Sequence, residues 1–272
     1  MSATRIGVVG YLNSRPLARG LEKRRGADGL ELYYLPPAKV ADGLASGALD
    51  VGLVPSIELA RIPGLTVVPG LAIAATHEVR SVLLVSKRPI GEIRSVALDE
   101  NSRTSAALVR ILLRDRYGID PETTPATPRV DEMLAWADAA LVIGDPALRI
   151  DRERYVVLDL AGEWLELTAL PFVFAVWAAR GAAATPELAA ALASSYGAGQ
   201  AELDAIVSEA AADSGLPVAV LLDYYRRNLR YEMGPAEQAG LSEYLRRAAQ
   251  HGFAPAATIR FLGDAAAHAD PS

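Results

Sequence analysis

Apolar residues along this chain fall in two textures. Short runs rich in β-branched residues read as buried strands, and longer stretches with apolar residues every three or four positions read as helices. The first run, Ile6, Val8 and Val9, is stopped by Gly10. A polar elbow follows, Tyr11-Leu12-Asn13-Ser14-Arg15-Pro16, and then a helical pattern over about residues 17–25. Residues 30–35 predict a second strand, ended by Pro36 and Pro37. Residues 38–46 predict a short amphipathic helix closed by Gly47 as its C-terminal cap. A third strand over 50–55 leads to Ser56, a good helix N-cap. This βαβαβ order with short loops predicts a parallel, doubly wound sheet. Residues 65–69 and 71–75 read as two further short strands, and 79–86 as a strong one. Its end at Lys87-Arg88-Pro89 is the expected crossing into a second lobe.

The pattern then repeats as an idea rather than as a sequence. A strand over 95–98 runs into Asp99-Glu100-Asn101-Ser102-Arg103-Thr104-Ser105, which opens a helix reaching Tyr117 and stopped by Gly118. Residues 123–129 are broken by prolines, 131–136 predict a brief helix, and 139–143 a buried strand ending in Gly144-Asp145. A strand over 155–160, a turn and short helix over 161–167, and the all-apolar run 172–180 follow, the last carrying the chain back to the first lobe. From Pro186 the pattern is helical: 187–195, 199–212, 217–231 and 235–251, with an Ala-rich tail after Gly263 expected to fray. The expected division is a discontinuous lobe, residues 1–87 plus 175–272, and a second lobe, 88–174.

Composition narrows the class. The chain has 272 residues, 51% hydrophobic and 22% charged, an ordinary globular balance. The longest apolar runs are about ten residues, short of the roughly 18 that a membrane-crossing helix needs, so no membrane partner is expected. The N-terminal stretch lacks a basic region followed by an apolar one and a cleavage site, so the expected location is cytoplasmic. The net charge of −6 with no long basic run argues against nucleic acid as a partner. With no cysteine and three scattered histidines, His77, His251 and His268, no metal-ligand spacing arises and none is expected. No nucleotide-binding glycine loop or serine-hydrolase elbow is present.

The candidate chemistry lies in the two strand–elbow–helix units. Ligands of open α/β sheets sit where strand ends meet helix N-termini, which supply free N–H groups and partial positive charge. Asn13 and Ser14 offer side-chain donors and acceptors there, and Arg15 a fixed cation. Ser102, Thr104 and Ser105 gather three hydroxyls around a second helix start, with Arg103 adding charge. One hydroxyl caps the helix, and the others are free for a carboxylate. Gly144 permits close backbone approach. Asp145 either caps its turn or holds an arginine, or takes part in chemistry. Ser56 either caps its helix or faces the same crevice as Asn13, and Ser81 is either bonded to backbone or a ligand contact near the crossing. Arg226, Arg227 and Arg230 with Tyr224, Tyr225 and Tyr231 read as a solvated helix face.

Four stretches, YLNSRPL, VPSIEL, SRTS and GDPAL through TALPFVFAVW, resemble the chorismate dehydratases of the futalosine route to menaquinone. One departure stands out: members commonly have glycine where this chain has Ala169. The resemblance implies a two-lobed α/β fold of the type II periplasmic-binding-protein kind, with a ligand crevice between lobes and a helical C-terminal part. It implies loss of water from chorismate, a dicarboxylate, to give 3-[(1-carboxyvinyl)oxy]benzoate without a cofactor. Asn13 and Ser81 are the implied catalytic residues. Ser14, Arg15, Ser56, Ser102, Arg103, Thr104, Ser105, Gly144 and Asp145 are the expected binding residues. The base stays open between Asp145 and the substrate's own side-chain carboxylate. Alternatives are a non-catalytic binding protein for a small carboxylate, and the sister enzyme acting on cyclic dehypoxanthine futalosine.

Overall fold

A computed structural model describes residues 3–24 and 29–264. The predicted helix end at Arg25, His268 and the tail beyond Asp264 lie outside the described residues. The first sheet begins as foreseen, with β1 (Thr4–Val9), α1 (Arg15–Lys23), β2 (Leu30–Leu35), α2 (Pro37–Ser46) and β3 (Val51–Pro55). β1 pairs in parallel with both β2 and β3. α1 starts two residues early because Pro16 sits in its first turn, where the missing N–H costs nothing. α2 ends on Gly47 at φ 76°, in the left-handed region.

After α3 (Glu58–Arg61), the two short strands expected over 65–75 are one, β4 (Leu65–Ala75). Pro69 and Gly70 sit exposed within it, and its pairing with a later strand shifts register twice, so the run bends rather than breaks. The chain then enters the second sheet through β5 (Val82–Ser86). β5 pairs antiparallel with strands of the second sheet, so the chain passes from one sheet to the other between Ala75 and Val82, upstream of Lys87.

The second sheet adds β6 (Ser95–Asp99), α4 (Arg103–Asp115), β7 (Glu122–Ala126), α5 (Val130–Trp136), β8 (Ala139–Ile143), β9 (Val156–Asp159) and α6 (Leu160–Thr168). The proline-broken segment does form a strand, β7. It is an edge strand, where Pro125 is tolerated. The order is β7-β6-β8-β5-β9, with β6 parallel to β7 and β8.

The chain returns in β10 (Phe172–Arg180), inserted antiparallel between β3 and β4. Helices α7 (Pro186–Ala201), α8 (Leu203–Ser214) and α9 (Val218–Asp223) follow, then β11 (Arg230–Met233) and α10 (Pro235–Gln250). The expected helix over 217–231 does not run through. α9 passes into a π-helical turn, Tyr224–Asn228, and then into β11 on the edge of the first sheet, whose order is β11-β4-β10-β3-β1-β2. Each sheet with its helices makes one lobe. In both, the parallel strands point their C-terminal ends at the same crevice.

Candidate active site

Four strand ends meet there: β1 through the 10–14 turn, β3 through Pro55, β6 through the loop to Ser102, and β8 through Gly144. They border a partly open cleft. Its lining includes Tyr11, Asn13, Ser81, Ser102, Arg103, Thr104, Ser105 and Gly144. Ile73, Val79, Ile143 and Phe174 supply apolar walls that would take a flat ring.

Asn13 sits in a short 3₁₀ turn, Leu12–Ser14, and its Oδ1 is buried without a hydrogen-bond partner among the described residues. A buried amide oxygen left unpaired costs on the order of 1–3 kcal/mol. A ligand donor would recover that cost. Ser81 lies in the bend just before β5 and is 1% exposed. Its Oγ accepts the phenol O–H of Tyr224 at 2.8 Å, and its carbonyl accepts the Gly144 N–H at 2.7 Å.

At the α4 start, Ser102 is the N-cap residue but no side chain caps the helix. The expectation that one hydroxyl caps it is therefore corrected. Thr104 Oγ1 instead accepts the Ile57 N–H of the other lobe at 3.2 Å. The first-turn amides stay uncapped toward the cavity and carry the helix's partial positive charge.

Five expected binding residues do other work. Ser14 Oγ shares its one proton between the Val9 carbonyl and the Tyr11 carbonyl, the latter at 2.9 Å, so it closes its own turn. Arg15 points away from the cavity and pairs with Asp213 at 2.8 Å. Ser56 is fully buried and donates to the Val173 carbonyl of β10 at 2.7 Å, so it neither faces the cavity nor caps α3 by its side chain. Asp145 is not in the lining. Its Oδ1 accepts the Leu12 N–H at 3.0 Å, and burial pushes its carboxyl above the usual range despite that bond. Arg103 does line the cavity, but its charge is committed: it reaches Asp42 at 2.6 Å and the buried Glu58 at 3.4 Å, both in the other lobe. Among the described lining residues Arg103 is the sole charged one, so an anion here meets neutral donors and a helix end.

The structure also brings in residues passed over in the sequence. Tyr11 lays its ring against Gly144, and burial, with Asp99 and Asp145 nearby, raises its phenol. Asp159 caps α6 and accepts the Val79 and Arg80 amides at 3.0 and 2.6 Å, fixing the turn that presents Ser81. An aspartate between a strand and an apolar helical run is a recognisable cap signal. The expected solvated face of arginines and tyrosines splits in two. Arg226, Arg227 and Arg230 pair with surface carboxylates, while Tyr224, Tyr225 and Tyr231 are buried. Their phenols reach Ser81 and the carbonyls of Leu12 and Asn13. His77 is exposed and His251 pairs with Asp115 on the surface, so neither lines the cavity.

A family of proteins described by menaquinone biosynthesis matches residues 4–250. A chorismate dehydratase of Thermus thermophilus is 29% identical over 88% of this chain and 93% of its own length. A second, from Campylobacter jejuni, is 30% identical over 62% of this chain and 65% of its own. Among solved structures, the periplasmic aliphatic sulphonate binding protein of Escherichia coli superposes with a TM-score of 0.64 at 20% identity, covering 94% of each chain. The likeness establishes the two-lobed periplasmic-binding-protein fold.

Proposed function

The chain belongs to the menaquinone biosynthesis family, and on that premise we propose that it dehydrates chorismate to 3-[(1-carboxyvinyl)oxy]benzoate, the first step of the futalosine route. The observation that carries this reading is the cavity itself. The unpartnered Asn13 Oδ1, the Ser81 hydroxyl and the uncapped N-terminus of α4 line one cleft with apolar walls.

In this reading one substrate carboxylate lies on the α4 start, held by its amides and by Ser102 and Ser105. The ring fills the slot between Phe174 and Ile143. Asn13 hydrogen-bonds the reacting end, at the departing hydroxyl or the enolpyruvyl group, and Ser81 orients the substrate or passes a proton. The reaction breaks the ring C–H at the ether-bearing carbon and the neighbouring C–O bond. The C–H electron pair forms the last ring double bond, and the proton and hydroxyl leave together as water. Carbon's oxidation level is unchanged overall, so no redox partner is called for. An amide cannot take the ring proton at ordinary pH, and Asp145 is engaged by Leu12 outside the lining. The substrate's own side-chain carboxylate is therefore the favoured base. The functional lobes divide at the two crossings, near residues 76–81 and 169–171, and the enzyme works in the cytoplasm.

The test is incubation of the purified protein with chorismate, with products followed by mass. Loss of one water is expected. Asn13→Ala and Ser81→Ala should lower turnover by about 10²-fold or more, the usual cost of removing a donor aimed at a reacting group, with a smaller effect on binding. Chorismate bound but returned intact would turn the reading to a binding protein of the same fold.

A further inference from the structure

The segment after α9 is unusual in its winding. Tyr224–Asn228 forms a π-helical turn, a feature that recurs at functional sites because the wider turn re-aims side chains. Here it puts two consecutive tyrosines, Tyr224 and Tyr225, into the interior, 1% and 3% exposed, with ring centroids 5.6 Å apart. Tyr231 joins them from β11, also 3% exposed.

The three phenols have different targets. Tyr225 donates to the Leu12 carbonyl and Tyr231 to the Asn13 carbonyl, each at 2.9 Å. Both grip backbone and hold the 3₁₀ turn that carries Asn13. Tyr224 reaches the crossing just before β5 and donates to a side chain, Ser81 Oγ, at 2.8 Å. A serine hydroxyl has one proton. Once Oγ accepts from Tyr224, its own proton has no recorded acceptor among the described residues, and the cavity that Ser81 lines is the open direction. Burial drives the Tyr224 phenol up. The phenol therefore stays protonated, a fixed donor.

We propose that Tyr224 is a positioning residue for the dehydration: by donating to Ser81 Oγ it turns the Ser81 hydroxyl proton toward the substrate. This rests on the function proposed above. Tyr224 does not line the cavity, so it touches no substrate and acts through Ser81.

The test is Tyr224→Phe in the full chain, which keeps the ring and its packing, compared with wild type, Ser81→Ala and the double variant. Folding is followed by circular dichroism, and kcat and KM by chorismate dehydration. The expected result is a fall in kcat of about 10–100-fold, typical of removing the partner that orients a reacting side chain, with KM within about twofold. In the Ser81→Ala background the same substitution should leave kcat unchanged, because there is no hydroxyl left to orient. A merely structural tyrosine would lower kcat by the same factor in both backgrounds, or lower melting alone, and either result overturns the proposal. Wild-type protein that leaves chorismate intact overturns the functional reading and this inference with it. Wild-type turnover with an undiminished Tyr224→Phe overturns the inference alone.

Discussion

Gly144→Ala separates what the fold needs from what the cavity needs. Gly144 stands at the end of β8 with φ 68°, a conformation in which an added Cβ crowds the backbone. That alone costs about 1 kcal/mol in any state of the protein that keeps the turn. The added Cβ would also lie 2.9 Å from Cδ1 and Cε1 of Tyr11 and 3.0 Å from its Cγ. Carbon atoms rest about 3.5–4.0 Å apart, so the ring must recede by roughly half an ångström or more. Overfilling of this kind costs about 1–3 kcal/mol, equivalent to about 5–150-fold in an equilibrium. The two costs fall on different observables. The backbone term lowers the melting temperature. The Tyr11 term weakens the contact between the 10–14 turn and the 144–145 turn, which also carries the Leu12 N–H to Asp145 bond, and Tyr11 and Gly144 both line the cavity.

Gly215 supplies the control. It has φ 69° and nothing within 4 Å of where its Cβ would be. Gly215→Ala should therefore lose about 2–4 °C in melting temperature, as expected for about 1 kcal/mol in a chain of this size, with KM for chorismate unchanged. Gly144→Ala should lose at least as much and raise KM by about tenfold. Thermal melts and steady-state kinetics on the two variants decide the matter. Gly144→Ala with wild-type KM would show that the Tyr11–Gly144 contact plays no part in the binding-competent state.

Two further outcomes follow from single residues. Ala169 ends α6 at φ 57°, in the left-handed region, where the resembling sequences commonly carry glycine. Ala169→Gly should raise stability by about 0.5–1 kcal/mol, seen as a melting temperature higher by about 1–4 °C; a lower one would refute the strain. Glu243 accepts from Arg246 and Arg247, and these arginines hold its carboxyl down at about 2. A depressed carboxyl contributes stability above its unfolded value, about 4.3, and loses it as pH falls from there through about 2. Because the pair is partly exposed, Glu243→Gln should cost under about 1 kcal/mol at neutral pH. That deficit should vanish near the acid limit in melts run across pH, and a deficit constant with pH would sink the assignment.

Much of the architecture was legible because its causes are local. β1, β2, β3, β6, β8 and β10 each announce themselves as short apolar runs stopped by glycine, proline or a charge. Gly47 marks a helix end for a conformational reason that needs no tertiary context. The two polar elbows at Asn13 and at Ser102–Ser105 were likewise legible, since a parallel sheet forces strand ends and helix starts to one side. What the chain alone did not determine is where each polar side chain points. Arg15 sits two residues from Asn13, yet its partner is Asp213, and Arg103 spends its charge on Asp42 and Glu58 of the other lobe. Ser56 looked like a cap or a crevice residue and instead bonds β10. The arginines and tyrosines of residues 224–231 looked like one surface, until a π-turn and a strand turned the tyrosines inward. Backbone conformation follows from nearest neighbours, because φ, ψ and burial period are set within a few residues. The direction of a polar group follows from whichever partner satisfies it, and Ser81 finds that partner in Tyr224, 143 residues further on.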